Sequence, residues 1–378
     1  MELQAFRTGL DEWLDQHEAE LAPENGAPLD VQMRHLALVR RLTYDAGWMR
    51  WGWPEHVSGF GGSTLLRGYM GEALAIRGLV EPGIYSVPEV LGPTMISFAP
   101  AGLAEEMVPR LLRGDETWCQ GFSEPGTGSN LASLSCRAVA DGDAWHVTGQ
   151  KLWTSLAQFA DRCVLLTRTG APESAHQGIT ALFVDMDSPG ISVRPLRTMH
   201  GEDEFCEVFF DDVRVPLGRT LGEVNGGWSV AMDLLPYERS TSLWHKGAYL
   251  HERLDALLAT AREEAVDAGE LGRVAQQLFV FRAHSRATQY RLARGEKLGP
   301  ETSVDKLMVA AAEQEVLDLA EEALGQAVAF GDGVADRRWR SEFLFSRAAS
   351  IYGGSVEIQR NILARRVLQL GPDLGAWR

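Results

Sequence analysis

Cysteine is scarce in this chain. Four occur among 378 residues (Cys119, Cys136, Cys163 and Cys206), and none forms a Cys-x-x-Cys pair. That argues against a disulfide scaffold or a zinc ribbon and predicts free thiols in a reducing, cytoplasmic setting. No run of 18 apolar residues occurs, so no membrane span is expected. The start, Met1-Glu2-Leu3-Gln4, has neither the basic nor the apolar region of a secretory signal. The nine histidines are scattered, with no His-Glu-x-x-His, so no metal site is expected. Basic residues are the minority, 36 against 52 acidic, for a net charge of −16. This argues against nucleic acid as the main ligand, because a phosphate backbone needs a basic footprint. A local patch for a single nucleotide remains compatible with it. No Gly-x-Gly-x-x-Gly follows a strand and no βαβ alternation appears, which disfavours a Rossmann enzyme.

The chain does have length and a 45% hydrophobic composition, enough for two or three packed domains. Its texture changes twice. Residues 1–117 read as helical, with an amphipathic run from Asp30 to Asp45 and Gly/Pro clusters at Gly52–Gly62, Glu81–Gly83 and Leu91–Pro93. Residues 118–227 are rich in β-branched and aromatic residues. Ala144–Thr148 alternates, Arg162–Arg168 encloses an apolar run, and Ile191–Val193 and Glu207–Val215 follow, with a tight turn at Asp141-Gly142-Asp143. Residues 228–378 are helical again. Leu250, Leu254, Leu257, Leu258 and Ala261 form one predicted apolar face, and Val304, Leu307, Met308 and Ala311 another. The expectation is an α+β protein, mainly α: an N-terminal helical domain, a barrel-like β domain and a C-terminal four-helix bundle.

Four segments carry candidate chemistry. Phe122-Ser123-Glu124-Pro125-Gly126-Thr127-Gly128-Ser129-Asn130 is a hydroxyl-rich loop whose backbone can approach a ligand closely, though such loops are often plain turns. Gly149-Gln150-Lys151-Leu152-Trp153-Thr154-Ser155 offers an indole and two hydroxyls for an aromatic ligand, or simply a core Trp at a strand end. Pro236-Tyr237-Glu238-Arg239 places two charges side by side on a predicted helix, where they should point apart, usually to solvent. Tyr352-Gly353-Gly354-Ser355-Val356-Glu357 reads as a Ser-capped helix start with free N–H groups.

In this order, the four segments resemble the acyl-CoA dehydrogenase family. So do Gly47-Trp48 through Trp53-Pro54-Glu55 and Gly61-Gly62, and Phe210-Asp211-Asp212-Val213-Arg214-Val215-Pro216 before Leu221-Gly222-Glu223. The resemblance spans nearly the whole chain. It implies FAD between the β domain and the C-terminal helices. Gln120, Phe122, Ser123 and Ser129 would line the flavin and its phosphates, and Trp153 and Ser155 the ring. Ser355 and Glu357 would meet the adenine end of an FAD bound in a neighbouring subunit. Arg239 matches an arginine that contacts the CoA part of the substrate, with Ser129 and Gly354 nearby. The implied reaction forms a trans-2-enoyl thioester and passes electrons to an electron-transfer flavoprotein. The implied assembly is a homotetramer, or a heterotetramer with a related chain.

Three departures qualify this. Many members carry the catalytic Glu straight after the Tyr of the last motif, where this chain has Gly353. Its N–H remains as a donor to the thioester oxygen, and its missing side chain suggests room for a branched or cyclic acyl group. Branches such as the isovaleryl-CoA type place the base on the earlier helix, and that position is Glu238 here. Asn130 replaces the usual Asp. The family's Arg-x-x-Phe-Gly and Gln-x-x-Gly-Gly motifs are eroded to Glu264-Ala265-Val266-Asp267-Ala268-Gly269-Glu270 and Glu322-Ala323-Leu324-Gly325-Gln326. Arg262, Arg273 or a different partner chain would then complete the neighbour's half-site. The alternatives are a flavin monooxygenase or oxidase on the same fold, and a non-catalytic subunit of a heteromeric acyl-CoA dehydrogenase.

Overall fold

In the computed structural model, which describes residues 1–261 and 266–371, six helices precede the first strand. They are α1 (Leu3–Leu21), α2 (Leu29–Asp45), α3 (Thr64–Ile76), α4 (Pro82–Tyr85), α5 (Val87–Phe98) and α6 (Leu103–Arg113). The Gly52–Gly62 cluster falls between α2 and α3 and Glu81–Gly83 at the start of α4, but Leu91–Pro93 lies inside α5, which carries Pro93 in its interior rather than breaking there. The Gly-Trp…Gly-Gly stretch is architectural. Trp53 is fully buried against Gly92, where an added Cβ would lie 2.8 Å from its ring, and Arg67 stacks over it at 4.0 Å.

Eight strands follow: β1 (Trp118–Gly121), β2 (Arg137–Asp141), β3 (Ala144–Ser155), β4 (Arg162–Arg168), β5 (Ile179–Asp185), β6 (Ile191–Leu196), β7 (Phe205–Pro216) and β8 (Thr220–Leu221). They form one sheet in the order β6-β7-β3-β2-β4-β5-β8, with β1 parallel to β4. One face closes on its own core of Trp145, Val147, Leu165, Val184, Val208 and Phe210, which makes the sheet barrel-like. The other face packs Trp118, Val164, Leu166 and Phe183 against the N-terminal helices. Burial on both faces explains why β4 reads as a continuous apolar run.

The chain then returns to helices: α7 (Gly227–Glu238), α8 (Thr241–Thr260), α9 (Ala268–Ala293), α10 (Ser303–Leu324), α11 (Gln326–Phe330), α12 (Val334–Ser346) and α13 (Val356–Ile362). The long helices α8, α9 and α10 share a core with Trp339 of α12. Two predicted faces are corrected. Leu250, Leu254 and Leu257 are buried, but Leu258 is exposed and Ala261 lies beyond the helix end. On α10 the buried face carries Asp305, Lys306, Val309, Ala310 and Glu313, while Ala311 is exposed. Over its first turns the helix turns polar side chains inward, whereas further along Val316, Leu317 and Ala320 are buried.

Candidate active site

Helix α7 ends at Glu238, and Ser240 leaves helical space at φ −128°, ψ −89° before α8 begins. The two neighbouring charges therefore do not diverge on one continuous helix, as the sequence suggests. Both turn inward to the loop that precedes α13. Arg239 is buried, and its Nε donates to the Gly353 carbonyl at 3.3 Å. Gln359 Nε2 donates to the same carbonyl at 2.9 Å and to that of Gly354 at 3.3 Å. Gly353 and Gly354 sit at φ +63° and +91°, conformations that favour glycine. Among the described residues the Gly353 N–H meets no acceptor.

The complementarity between Gly353 and Glu238 is steric. A Cβ added at Gly353 would lie 3.2 Å from Glu238 Oε1 and 3.3 Å from Lys306 Cε. The space left by the missing side chain is thus flanked by the carboxylate arriving from α7 and by a lysine. Burial pushes the Glu238 carboxyl up from the ordinary range. The charges of Arg239 and Lys306, and the nearby Gln120 side chain on β1, act against that rise. A carboxylate of raised basicity held in a protein interior has the character of a general base.

The second part of the site is the end of β3. Between Lys151 and Thr154 two residues of β3 oppose one of β7, a β-bulge. The bulge puts Trp153 at φ +60° and leaves it 57% exposed, with the exposed Ser155 two residues on along the strand. A positive φ at so large a residue is uncommon and marks sites held for function. Leu152 N donates to Ser123 O at 2.9 Å, so the glycine-bearing loop lies beside the bulge. Ser123 is part-buried and Phe122 buried, whereas Ser129 and Asn130 are exposed at the loop's end. Cβ atoms added at Gly126 or Gly128 would meet nothing within 4 Å. An open indole beside hydroxyls and an unobstructed loop backbone fit the edge of a flavin. Ser355 caps α13 by accepting from Ile358 N at 3.4 Å, and Glu357 faces solvent.

Several functional residues escape a reading of sequence. Glu124 and Lys151 form a buried pair at 2.8 Å. Glu124 also accepts from Ser135 N and Oγ, both at 2.7 Å, and from Cys136 N at 2.9 Å, while Lys151 donates to Phe122 O at 3.1 Å. Burial alone would raise the Glu124 carboxyl, but Lys151 and these donors outweigh it and hold it low. The pair pins the loop to β3. Its members stand inside the two loop motifs, yet nothing in their spacing announces that they meet. Lys306, buried on α10, is the other omission.

Some expectations concern residues the structure engages elsewhere or does not describe. Arg273 pairs with Glu270 at 3.2 Å and Glu315 at 3.0 Å on its own chain's surface. Arg262 lies outside the described residues, as do Glu264 and Ala265 of the eroded Arg-x-x-Phe-Gly segment, while Asp267 caps α9 by accepting from Glu270 N at 2.9 Å. The four cysteines are free and buried. Among the described residues, no His/Cys/Asp/Glu group could hold a metal, and no helix is long and apolar enough to cross a membrane.

Comparison with known proteins identifies the family. The family model for the acyl-CoA dehydrogenase middle domain matches residues 119–213, and that for the C-terminal domain residues 225–368. The acyl-CoA dehydrogenase IpdE1 of Mycobacterium tuberculosis is 36% identical, over 98% of this chain and 98% of its own length. IpdE1 of Mycolicibacterium smegmatis is 35% identical over the same shares. Among solved structures, the steroid ACAD Tcur3481-Tcur3483 aligns at TM-score 0.84 and 25% identity, covering 99% of this chain and 99% of its own. The ChsE4-ChsE5 complex from Mycobacterium tuberculosis aligns at 0.78 and 27%, covering 99% and 100%. With helices, sheet and bundle in the same order and relatives matched end to end, the chain belongs to the acyl-CoA dehydrogenase family.

Proposed function

We propose that this chain oxidises an acyl-CoA thioester to its trans-2-enoyl-CoA, with Glu238 as the base that removes the α-proton. The observation that carries the reading is the meeting of Glu238 Oε1 with the side-chain position that Gly353 leaves empty. Two segments 115 residues apart in sequence deliver one carboxylate to one place. Bound FAD supplies the hydride acceptor, at N5, for the β-carbon. The protein's part is alignment and electrostatics. Glu238, raised by burial, takes the proton. The unpartnered Gly353 N–H stands beside it as a donor to the thioester oxygen while that oxygen gains enolate character. Trp153 and Ser155 would hold the ring, Gln120, Phe122, Ser123 and Ser129 its surroundings, and Ser355 and Glu357 the adenine end of a neighbour's FAD. Arg239, with Ser129 and Gly354, would face the CoA portion, and an electron-transfer flavoprotein would take the electrons.

We further propose that the functional assembly is a heterotetramer with a related chain rather than a homotetramer. Arg273 is engaged by its own chain's carboxylates, and the eroded motifs are those a neighbour's FAD would need. Two structural relatives are named as pairs of chains. The steroid named in one of them supports a bulky, ring-bearing acyl group as substrate.

The test is the visible spectrum of the chain, alone and then co-expressed with its related partner, followed by acyl-CoAs added without oxygen. Bleaching by one class of thioester supports the dehydrogenase. Turnover of a non-CoA substrate that requires oxygen would instead identify a monooxygenase or oxidase. A chain that is yellow and active alone would remove the need for a partner.

A further inference from the structure

Two lysines reach toward the loop before α13, Lys306 buried and Lys246 half-buried, and they are treated differently. Lys246 of α8 has a carboxylate of its own, Glu313 Oε1 at 2.9 Å. Glu313 Oε2 in turn accepts from Tyr352 Oη at 3.0 Å, so this anion is shared and satisfied. Lys306 of α10 is only 3% exposed, yet its ammonium donates to a backbone carbonyl, Ala349 O at 2.6 Å, and lies 4.1 Å over the Tyr352 ring. Its Cε is 3.3 Å from the position a Gly353 side chain would begin, on the same small space that Glu238 Oε1 approaches to 3.2 Å.

We infer that Lys306 is a positioning residue for the proton transfer: its ammonium, together with the Arg239 guanidinium, supplies the positive charge that keeps Glu238 ionised and ready to accept the substrate α-proton. This rests on the reading of Glu238 as the base. A buried ammonium without its own anion is costly, and burial pushes Lys306 down to about 8, with Glu313 and Glu238 acting against that fall. The cation is therefore retained by fixed negative charge around it: Glu313, which it shares with Lys246 and Tyr352, and Glu238, which it shares with Arg239. The charged groups about Lys306 are few. Glu238 and Arg239 come from the α7–α8 bend, Lys246 from α8, and Glu313 from α10 itself. Asp305 turns to α9, where it accepts from Thr288 Oγ1 at 3.0 Å and lies 3.5 Å from His284. At the end of α12, Arg347 is paired with Asp318 at 2.8 Å. Glu357, Arg360, Arg365 and Arg366, on and after α13, face solvent.

The sign follows directly. A cation beside a carboxylate favours its charged form, so removing it raises the carboxyl's pKa. In the flavin-loaded assembly, Lys306→Met should move the acid limb of the kcat/KM–pH profile upward by about one pH unit. Lys306→Arg should restore it, because the charge rather than the shape is at issue. Lys306→Gln, which can still donate to the Ala349 carbonyl, should shift the limb as Lys306→Met does. It also serves as the neutral variant if the Met protein does not fold. An infrared titration of the carboxylic C=O band that Glu238→Gln abolishes gives the same midpoint without turnover. A folded neutral variant whose infrared midpoint stays at the wild-type value overturns the proposal. If Glu238→Gln keeps full turnover, the base assignment fails, yet the infrared midpoint still reports whether Lys306 and Glu238 are coupled.

Discussion

At the α7–α8 bend, side chains from β1, α7, α10 and α13 converge on two glycines, where Arg239, Lys306 and Gln359 donate to backbone carbonyls. At the end of β3, 85 residues earlier in sequence, Trp153, Ser155 and Ser129 stand open to solvent on a bulge and a loop. If Glu238 is the base, the first region holds the acid–base machinery. The second is a surface prepared for something that lies against it. On that reading the catalytic carboxylate is held within this chain, whereas the flavin edge would be an interface, where dependence on a partner subunit would enter.

The contrast can be broken from either side. The largest structural effect belongs to the anchor beneath the open region. Lys151→Met leaves Glu124 buried without its counter-charge, a loss of about 3–5 kcal/mol. It should appear as a lowered unfolding midpoint together with weaker flavin retention. Gly353→Ala comes next. It adds a Cβ at φ +63° against Glu238 and Lys306, for about 1–3 kcal/mol of strain. Turnover should fall while flavin content stays unchanged, the opposite division from that expected at β3. Trp153→Ala is the smallest. The side chain is 57% exposed, so the unfolding midpoint should scarcely move, while flavin dissociation should rise about tenfold from lost stacking. If Trp153→Ala unfolded the protein, or Gly353→Ala emptied it of flavin, the division between the two regions would be wrong.

The same division governs what the sequence discloses. Helices and strands with one buried face announce themselves, as the Asp30–Asp45 run does by becoming α2. Ile179–Asp185 does not, because β5 is buried on both faces and shows no alternation. Glu238 is legible through its pairing with Gly353, since a missing base at one family position directs attention to the other. Lys306 is hidden because the first turns of α10 bury Asp305, Lys306 and Glu313, where an apolar pattern looks for hydrophobic residues. Glu124 and Lys151 are hidden for another reason. They meet only because Leu152 N pairs with Ser123 O across the chain, a register that no local pattern encodes.

The most direct test of the central claim is anaerobic bleaching of the flavin-loaded assembly by the acyl-CoA that reduces it, wild type beside Glu238→Gln. If Glu238 removes the α-proton, the variant should bind the thioester, perturbing the flavin spectrum, yet bleach about 10³-fold more slowly. Bleaching of Glu238→Gln at the wild-type rate would contradict the account.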